Sequence, residues 1–426
     1  MGLLDHPCTA TATLATAFVL AASAIPASAS APPAPARPLS FSSATSSASS
    51  STVLPGCGEH STLRQALRTL TEDHHLAGAA VEVTDPVCGR WSDAAGTADL
   101  GTGRPMNAQD RLRAGSVTKT FTATVVLQLA AEHRIDPDAS VAHYLPGLID
   151  GNGYDGRKIT VRELLQHTSG LPDHLDAPEW EHPERLRYRH FEPRELIDQA
   201  LSLPHPGASA GSGFHYATTN YLVAGLLVQQ VTGRSAESEI TRRILRPLGL
   251  RDTYWPGDDP RLRGPHSRSY HLPEQGAALV DGTDWNMTFG GTGGALVSSP
   301  ADLERFFDAL LSGRLLPPDR LSEMKHTVAA DPDRLWPGAR YGLGLISSPL
   351  PCGGLWWGHA GTVPGGHRAL GAVGPGGRRV AVAVNQVPST EQAEEDFREV
   401  VRAALCEGRG PETARPTDGK IVEESA

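Results

Sequence analysis

Ser116 and Lys119 form a Ser-x-x-Lys pair at the start of a predicted apolar helix that spans residues 116–132. Three residues are almost one helical turn, so the Ser116 hydroxyl and the Lys119 amine project from the same face. An amine buried in an apolar helix loses hydration, and its lowered pKa lets it act as a base. Backbone N–H groups at the helix start favour negative charge on the nucleophile or its acyl adduct. The pair therefore predicts a serine nucleophile with a lysine base.

Three later segments accompany this pair, which by itself is common on helices. They are residues 159–171, Phe214-His215-Tyr216-Ala217-Thr218-Thr219-Asn220-Tyr221 and Trp357-Gly358-His359-Ala360-Gly361-Thr362. With Gly115-Ser116-Val117-Thr118-Lys119 they resemble, in order and spacing, the penicillin-recognising serine hydrolases. That family includes class C beta-lactamases, related esterases and secreted soluble D-alanyl-D-alanine carboxypeptidases, and the carboxypeptidases are the most similar. The resemblance extends from about Cys57 to Cys406.

The resemblance implies catalytic roles for three residues. Ser116 would be the nucleophile, Lys119 its base partner, and Tyr216 a phenol that relays protons between nucleophile and leaving group once a nearby cation lowers its pKa. The family needs no cofactor and no metal, and the histidines of this chain lack metal-binding spacing.

The third motif would bind the substrate. His359 occupies the position where Lys is more usual, as His does in the carboxypeptidase branch. Gly361 would let a substrate backbone lie along the strand edge. The N–H of Thr362 or of its neighbour would complete an oxyanion hole with the N–H of Ser116.

Three departures from the family pattern concern the substrate. Thr218 stands in place of the motif's Asn, so Asn220 is an alternative source of a carboxamide. Ala360 replaces a Thr, and Ile346 stands where related carboxypeptidases have a carboxylate-binding Arg. His359, partly cationic at neutral pH, and Arg368 would be the other candidate cations. We therefore expect weaker carboxypeptidase activity than in a relative that has this Arg.

Elements at both ends of the chain must position these motifs. Leucines at helical spacing predict a helix at 61–74, and a second amphipathic helix is predicted at 391–405. The pattern predicts an α/β (α+β) fold in which an antiparallel sheet built from both termini is flanked by helices, with a mostly helical insert at about 133–335. The resemblance implies the beta-lactamase/transpeptidase-like version of this fold. Predicted strands are 79–84, 90–98, 341–346, 355–358, 367–373 and 379–385.

Composition and charge narrow the classes of partner. The chain has 426 residues, is 39% hydrophobic and carries a formal net charge of -10 without a basic run. Such a chain is globular and lacks the positive surface that nucleic acid or anionic lipid requires. We expect a monomer that acts on a small peptide, ester or lactam and does not associate stably with membranes.

The N-terminal segment predicts export. Residues 1–31 contain an uncharged apolar stretch followed by Ala-x-Ala patterns, which is typical of a signal peptide, although the stretch lacks a preceding Lys or Arg. A short membrane anchor is the alternative. Residues 32–52 form a Pro/Ala/Ser leader that cannot bury a core, the hydrolase domain spans 53–406, and 407–426 is a polar tail. Four cysteines follow the signal, and sequence order favours the disulfides Cys57–Cys88 and Cys352–Cys406 among three possible pairings.

Two other motifs compete weakly with this interpretation. Gly207-Ala208-Ser209-Ala210-Gly211 matches the Gly-x-Ser-x-Gly nucleophile elbow but lacks a buried strand before it and a helix after it. Residues 151–156 match Gly-x-Gly-x-x-Gly but open no helix, so they predict a turn.

Together these observations predict an exported serine hydrolase that forms an acyl-enzyme and acts on peptidoglycan-type peptides in the manner of a D-alanyl-D-alanine carboxypeptidase. An esterase or weak beta-lactamase on the same scaffold is the alternative. A non-catalytic penicillin-binding protein is a third possibility.

Overall fold

The structure, a computed structural model, describes residue 57 and residues 59–204, 210–211, 213–273 and 277–409. The predicted signal peptide and leader, Ser209 of the elbow motif and residues 410–426 of the predicted tail lie outside these residues. No helix within the described ranges combines the length and apolar character needed to cross a bilayer.

Nine strands form one antiparallel sheet in the order β10-β11-β12-β13-β14-β15-β1-β2-β3. The first three and last six strands of the chain therefore meet in one sheet, which confirms the prediction that both termini build it. Three further strand pairs, β4–β9, β5–β6 and β7–β8, are short. The strands are β1 Gly78–Asp85, β2 Gly89–Asp99, β3 Arg104–Pro105, β4 Leu112–Arg113, β5 Asp150–Gly151, β6 Tyr154–Asp155, β7 Tyr270–His271, β8 Val280–Asp281, β9 Val297–Ser298, β10 Val328–Ala329, β11 Arg340–Tyr341, β12 Ile346–Pro349, β13 Leu355–Thr362, β14 Arg368–Val373 and β15 Arg379–Val384.

The helices include the two predicted terminal ones. The first continues as a π-helical turn at Thr69–Asp73, and the middle of the chain adds short 3₁₀ turns. The α-helices are α1 Ser61–Arg68, α2 Thr118–Ala131, α3 Val141–Tyr144, α4 Val161–Gln166, α5 Pro193–Ser202, α6 Thr219–Thr232, α7 Ala236–Ile240, α8 Arg246–Leu248, α9 Gly291–Gly294, α10 Pro300–Leu311, α11 Pro318–Met324 and α12 Glu391–Cys406.

Alternation along β15 shows how the sheet separates two hydrophobic cores. Val380, Val382 and Val384 belong to the core that α1 and α12 complete. Ala381 and Ala383 point to the opposite face and belong to the core built by α2, α6 and α10. Successive side chains of a strand point to opposite faces, so a strand that is apolar throughout is buried on both sides.

Both disulfides of the sequence-order pairing are present. Cys57 is bonded to Cys88 in the turn between β1 and β2. Cys352, in the loop before β13, is bonded to Cys406 at the end of α12. The second bond ties the closing helix to the strands that carry the third motif.

Helix α2 is buried on almost every side, as its apolar sequence predicts. Its threonines do not leave buried hydroxyls without partners. Thr120 Oγ1 donates to the Gly344 carbonyl and Thr122 Oγ1 to the Thr292 carbonyl, each over 2.7 Å. A buried hydroxyl is costly unless it is hydrogen-bonded, so these contacts also fix α2 against the two loops that it meets.

Two predicted strands differ in the structure. Residues 341–346 form the end of β11 and the start of β12, separated by a turn in which Gly344 has a φ of 76°. A Cβ on Gly344 would lie 2.8 Å from the Tyr221 hydroxyl, so the chain turns where only glycine fits. β13 is longer than predicted and reaches Thr362, which places the whole third motif on a strand.

Candidate active site

A tight turn presents Ser116 at the start of α2. Residues Gly115–Val117 form a 3₁₀ turn, and Gly115 has a φ of 53°. A Cβ on Gly115 would lie 2.8 Å from the backbone nitrogen of Thr362. The glycine therefore permits both the left-handed backbone and the close approach of β13.

Buried polar contacts anchor the segment before the turn. The Arg113 guanidinium donates through Nη2 to the Thr283 carbonyl over 2.9 Å, and its backbone N–H donates to His367 Nδ1 over 3.4 Å. The ring of His367 is held in turn by Ser267 Oγ, 3.0 Å from Nε2. These residues fix the strand from which Ser116 emerges and do not reach the cleft.

The amine of Lys119 lies next to the Ser116 hydroxyl. Its Nζ is 3.0 Å from Ser116 Oγ, 2.9 Å from the Gly293 carbonyl oxygen and 3.4 Å from Thr218 Oγ1. Burial lowers the pKa of Lys119 to about 7; the negative charge of Asp173 opposes this shift and the positive charge of Arg334 adds to it. A substantial fraction of the amine is therefore neutral at neutral pH and can accept the serine proton.

Tyr216 faces both members of the pair. Lys119 Nζ lies 4.9 Å from the centre of its ring, and the phenol is hydrogen-bonded to Ser116. Burial raises the pKa of Tyr216, and the opposing effects of the Ser116 hydrogen bond and of Arg334 are smaller. The expectation that a nearby cation makes this pKa low is thus wrong, because Arg334 lowers it less than desolvation of the phenolate raises it. Tyr216 is a neutral phenol that can donate a proton.

His167 packs against the Tyr216 ring and accepts backbone hydrogen bonds from the residues on either side of it. Its carbonyl oxygen accepts the N–H of His215 over 2.7 Å, and its Nδ1 accepts the N–H of Ala217 over 3.2 Å. Its ring centre lies 4.2 Å from that of Tyr216. His167 itself is fully buried with a φ of 60°, and burial holds its pKa well below the ordinary value. A neutral His167 therefore fixes the backbone on both sides of the phenol.

Strand β13 supplies the opposite edge of the site. A Cβ on Gly361 would lie 2.8 Å from the Ser116 backbone nitrogen, so this edge and the nucleophile turn are in direct contact. His359 is buried, with Nε2 2.9 Å from the Tyr341 hydroxyl. Burial, together with the charge of Lys119, lowers the pKa of His359 to about 3. The sequence-based expectation that His359 is partly cationic at neutral pH is therefore wrong.

An open cleft of about 1010 Å³ lies above these groups. Its floor includes Ser116, Tyr216 and the 359–362 segment of β13, and its outer wall is formed by residues 332–337, Arg368 and residues 388–398. The wall is rich in charge, because Arg334, Arg368 and Arg398 line it. The cleft therefore joins a buried polar floor to a charged rim. Within the described ranges, no group of three or more His, Cys, Asp or Glu side chains is placed to hold a metal ion.

Of the five residues predicted to bind substrate, three line the cleft and two do not. His359, Gly361 and Thr362 line the cleft. Thr218 does not line it and contacts Lys119 instead. Asn220 is fully buried, because its Oδ1 accepts the Ser169 hydroxyl over 2.6 Å and its Nδ2 donates to His167 Nδ1 over 3.1 Å. Its carboxamide therefore supports His167 and does not replace the amide that Thr218 lacks.

The placement of Ile346 and Arg368 decides which cations the cleft offers to a substrate. Ile346 is fully buried in the core beneath β11 and β12 and offers no apolar surface to the cleft. Arg368, the other candidate cation, lines the cleft but is ion-paired with Glu394 at 2.6 Å. Arg334 and Asp173 lie in no motif, so no sequence pattern marks them as residues of the site.

Comparisons with known proteins place these observations in a family. The profile of the family described as Beta-lactamase matches residues 63–405. A D-stereospecific amidohydrolase from Streptomyces sp. has a similar structure, with a TM-score of 0.75 and 36% identity, covering 82% of this chain and 99% of that one.

Two curated relatives have similar sequences. Penicillin-binding protein 4 of Amycolatopsis lactamdurans is 28% identical over 252 residues, 58% of this chain, and the match spans 63% of that protein's length. Esterase EstB of Burkholderia gladioli is 29% identical over 331 residues, 71% of this chain and 82% of the esterase. The matched region contains the Ser-x-x-Lys turn, the Tyr216 segment and β13, and the chain belongs to the beta-lactamase family of serine hydrolases.

Proposed function

We propose that this protein is an exported hydrolase that opens peptide bonds through an acyl-enzyme on Ser116, in the manner of a D-alanyl-D-alanine carboxypeptidase. The observation that carries the proposal is the 3.0 Å approach of Lys119 Nζ to Ser116 Oγ, combined with a pKa of about 7 for that amine. A neutral amine at this distance is a general base in place.

Acylation uses the groups that meet at the nucleophile. Lys119 accepts the hydroxyl proton as Ser116 Oγ forms a bond to the substrate carbonyl carbon. The backbone N–H groups of Ser116 and Thr362 are the donors expected to bind the oxyanion, because β13 contacts the turn at this point. When the carbon–nitrogen bond breaks, Tyr216 gives its proton to the leaving amine and regains one from Lys119. The net result is an ester on Ser116 and a free amine.

Deacylation reverses the proton transfers with water as the nucleophile. The water loses a proton to the Tyr216–Lys119 pair as its oxygen attacks the ester carbon, and Ser116 Oγ regains a proton as it leaves. The product is a free carboxylic acid. An amine with a pKa of about 7 can carry out both half-reactions, since it both accepts and returns a proton near neutral pH.

Three observations support the peptide substrate and the exported location. One curated relative is named a penicillin-binding protein, and the 359–362 end of β13 lines the cleft, where an extended peptide can lie along the strand. The two disulfides suit an oxidising compartment. Thiol counting on the denatured, unreduced protein collected from the culture medium should give no stoichiometric free thiol.

A second candidate is hydrolysis of amides or esters that lack a terminal carboxylate. The similarity to the D-stereospecific amidohydrolase favours it, because the match covers 99% of the amidohydrolase chain and 82% of this one. Ala360 also favours it, because the methyl group provides no hydroxyl beside the cleft. The relative named as an esterase adds a further case of such chemistry on this fold.

Parallel turnover assays distinguish these candidates. The substrates are a diacyl-D-Ala-D-Ala peptide, its C-terminal amide, a p-nitrophenyl acyl ester and nitrocefin, each with the wild type and with Ser116→Ala. The proposal expects Ser116-dependent release of D-Ala from the free-acid peptide. Turnover of the ester and the amide without the free acid would favour the second candidate. Absence of any Ser116-dependent turnover would point to a non-catalytic penicillin-binding protein and overturn both.

A further inference from the structure

Arg334 lies in the loop between β10 and β11, at the mouth of the cleft. Its guanidinium carbon is 5.7 Å from the centre of the Tyr216 ring. Trp336 anchors the loop, because its indole N–H donates to Ser348 Oγ over 3.2 Å and its ring stacks on that of Trp356. The loop therefore holds a cation beside the phenol.

The guanidinium of Arg334 has unused hydrogen-bonding capacity. Its side chain is 49% exposed, and the ion pair it makes within the described ranges is a 3.6 Å contact with Asp173 Oδ2. That distance exceeds a hydrogen bond, and the buried Oδ2 has no hydrogen-bond partner among the described residues. The neighbouring Asp333 lines the cleft but forms no ion pair with Arg334 in this part of the chain. The planar donor face of Arg334 is thus open to the cleft.

The other cationic side chains of the cleft are already engaged. Arg368 Nη2 lies 2.6 Å from Glu394, and Arg398 Nη2 lies 2.7 Å from Glu395. His359 is neutral for the reason given above. Binding a substrate anion at Arg368 or Arg398 would require breaking a close ion pair, whereas Arg334 requires no such loss.

We propose that Arg334 binds the terminal carboxylate of the amino acid that leaves the substrate, an inference that rests on the proposed function. Tyr216 protonates the leaving amine, and in an amino acid the carboxylate is attached to the carbon next to that nitrogen. A cation beside the phenol is therefore positioned to bind this carboxylate. The guanidinium fork can donate two parallel hydrogen bonds to it. Arg334 replaces, from a different loop, the cation that the family pattern has at the position of Ile346.

The test compares kcat/KM for a diacyl-D-Ala-D-Ala peptide with kcat/KM for its C-terminal amide. We expect the wild type to prefer the free acid by at least about thirtyfold, the effect of one charged bidentate contact. Arg334→Gln should reduce that preference to within about threefold, and Arg334→Lys should retain part of it as a point charge. Hydrolysis of a p-nitrophenyl acyl ester should change much less than the preference does.

Arg398→Gln is the matched control, because Arg398 lines the same cleft but is paired with Glu395. It should keep the free-acid preference. An unchanged preference in Arg334→Gln overturns the assignment, and so does a wild type that cleaves the ester while showing no preference for the free acid. Failure of the proposed function is a separate result, namely a wild type in which neither a penicillin nor an acyl ester acylates Ser116.

Discussion

The floor and the outer wall of the cleft place basic side chains in opposite environments. On the floor, Lys119 and His359 are fully buried, and Lys119 forms no ion pair within the described ranges. On the wall, Arg368 and Arg398 pair with glutamates of α12. Burial without a paired carboxylate lowers an amine's pKa and turns it into a base, whereas paired side chains near water keep their charge.

This difference indicates that the floor and the wall have separate roles in catalysis and in substrate selection. The floor provides proton transfer, which depends on a titratable amine and a neutral phenol held at fixed distances. The wall provides charge that can select among substrates without altering the reaction. Substitutions on the floor should therefore reduce turnover of every substrate, whereas substitution of Arg334, the wall cation without a close ion pair among the described residues, should change the ranking of substrates.

The largest expected effect comes from the base. Lys119→Arg and Lys119→Ala should each lower kcat/KM by about a thousandfold for peptide and ester alike, because a guanidinium stays protonated and cannot accept the serine proton. Steady-state kinetics on both substrates measures this loss. Appreciable activity in the Arg variant would remove Lys119 as the base and abolish the contrast between floor and wall.

Tyr216→Phe tests the second floor residue. We expect a loss of about a hundredfold in kcat for the peptide, whose amine must be protonated as it leaves. The loss should be smaller for a p-nitrophenyl ester, because that leaving group departs without a proton. Equal losses for the two substrates would show that Tyr216 acts in another way than by protonating the leaving group.

His167 extends the floor to a residue that does not reach the cleft. His167→Ala removes the acceptor of the Ala217 N–H and should lower kcat by about tenfold with little change in KM, through a displaced phenol. His167→Asn keeps a side-chain acceptor and tolerates the left-handed backbone, so it should recover part of kcat. If both variants lose the same activity together with thermal stability, the role of His167 is structural only.

The smallest expected effect is a shift of the pH profile. Acylation requires neutral Lys119, so kcat/KM should fall as the pH decreases through about 7. The charge of Asp173 raises the pKa of Lys119, so Asp173→Asn should move this acid limb to lower pH. Asp333→Asn, on the wall, is the control and should leave the limb in place. A limb that stays fixed in Asp173→Asn would mean that it reports another group.

The sequence was sufficient for the features that depend on local pattern. The apolar helix α2, the strands β1 and β15 and the spacing of Ser116 and Lys119 follow from the local sequence, and both disulfides are those that sequence order favours. The family motifs predicted which segments meet at the cleft.

Features that depend on distant contacts could not be predicted in this way. Arg334 lies over Tyr216 because a loop more than a hundred residues away in sequence folds across it. The pKa shifts of Tyr216 and His359 are set by burial, which no motif reports. Ile346 illustrates the same limit, since its burial depends on the turn at Gly344 that divides the predicted strand.

The mass and position of the covalent adduct test most directly whether Ser116 is the nucleophile. After incubation with a penicillin or a fluorophosphonate, intact-mass spectrometry should show one adduct per chain, peptide mapping should place it on Ser116, and Ser116→Ala should carry none. An adduct on Ser209 of the Gly-x-Ser-x-Gly motif, or an unlabelled wild type, would show that Ser116 is not the nucleophile.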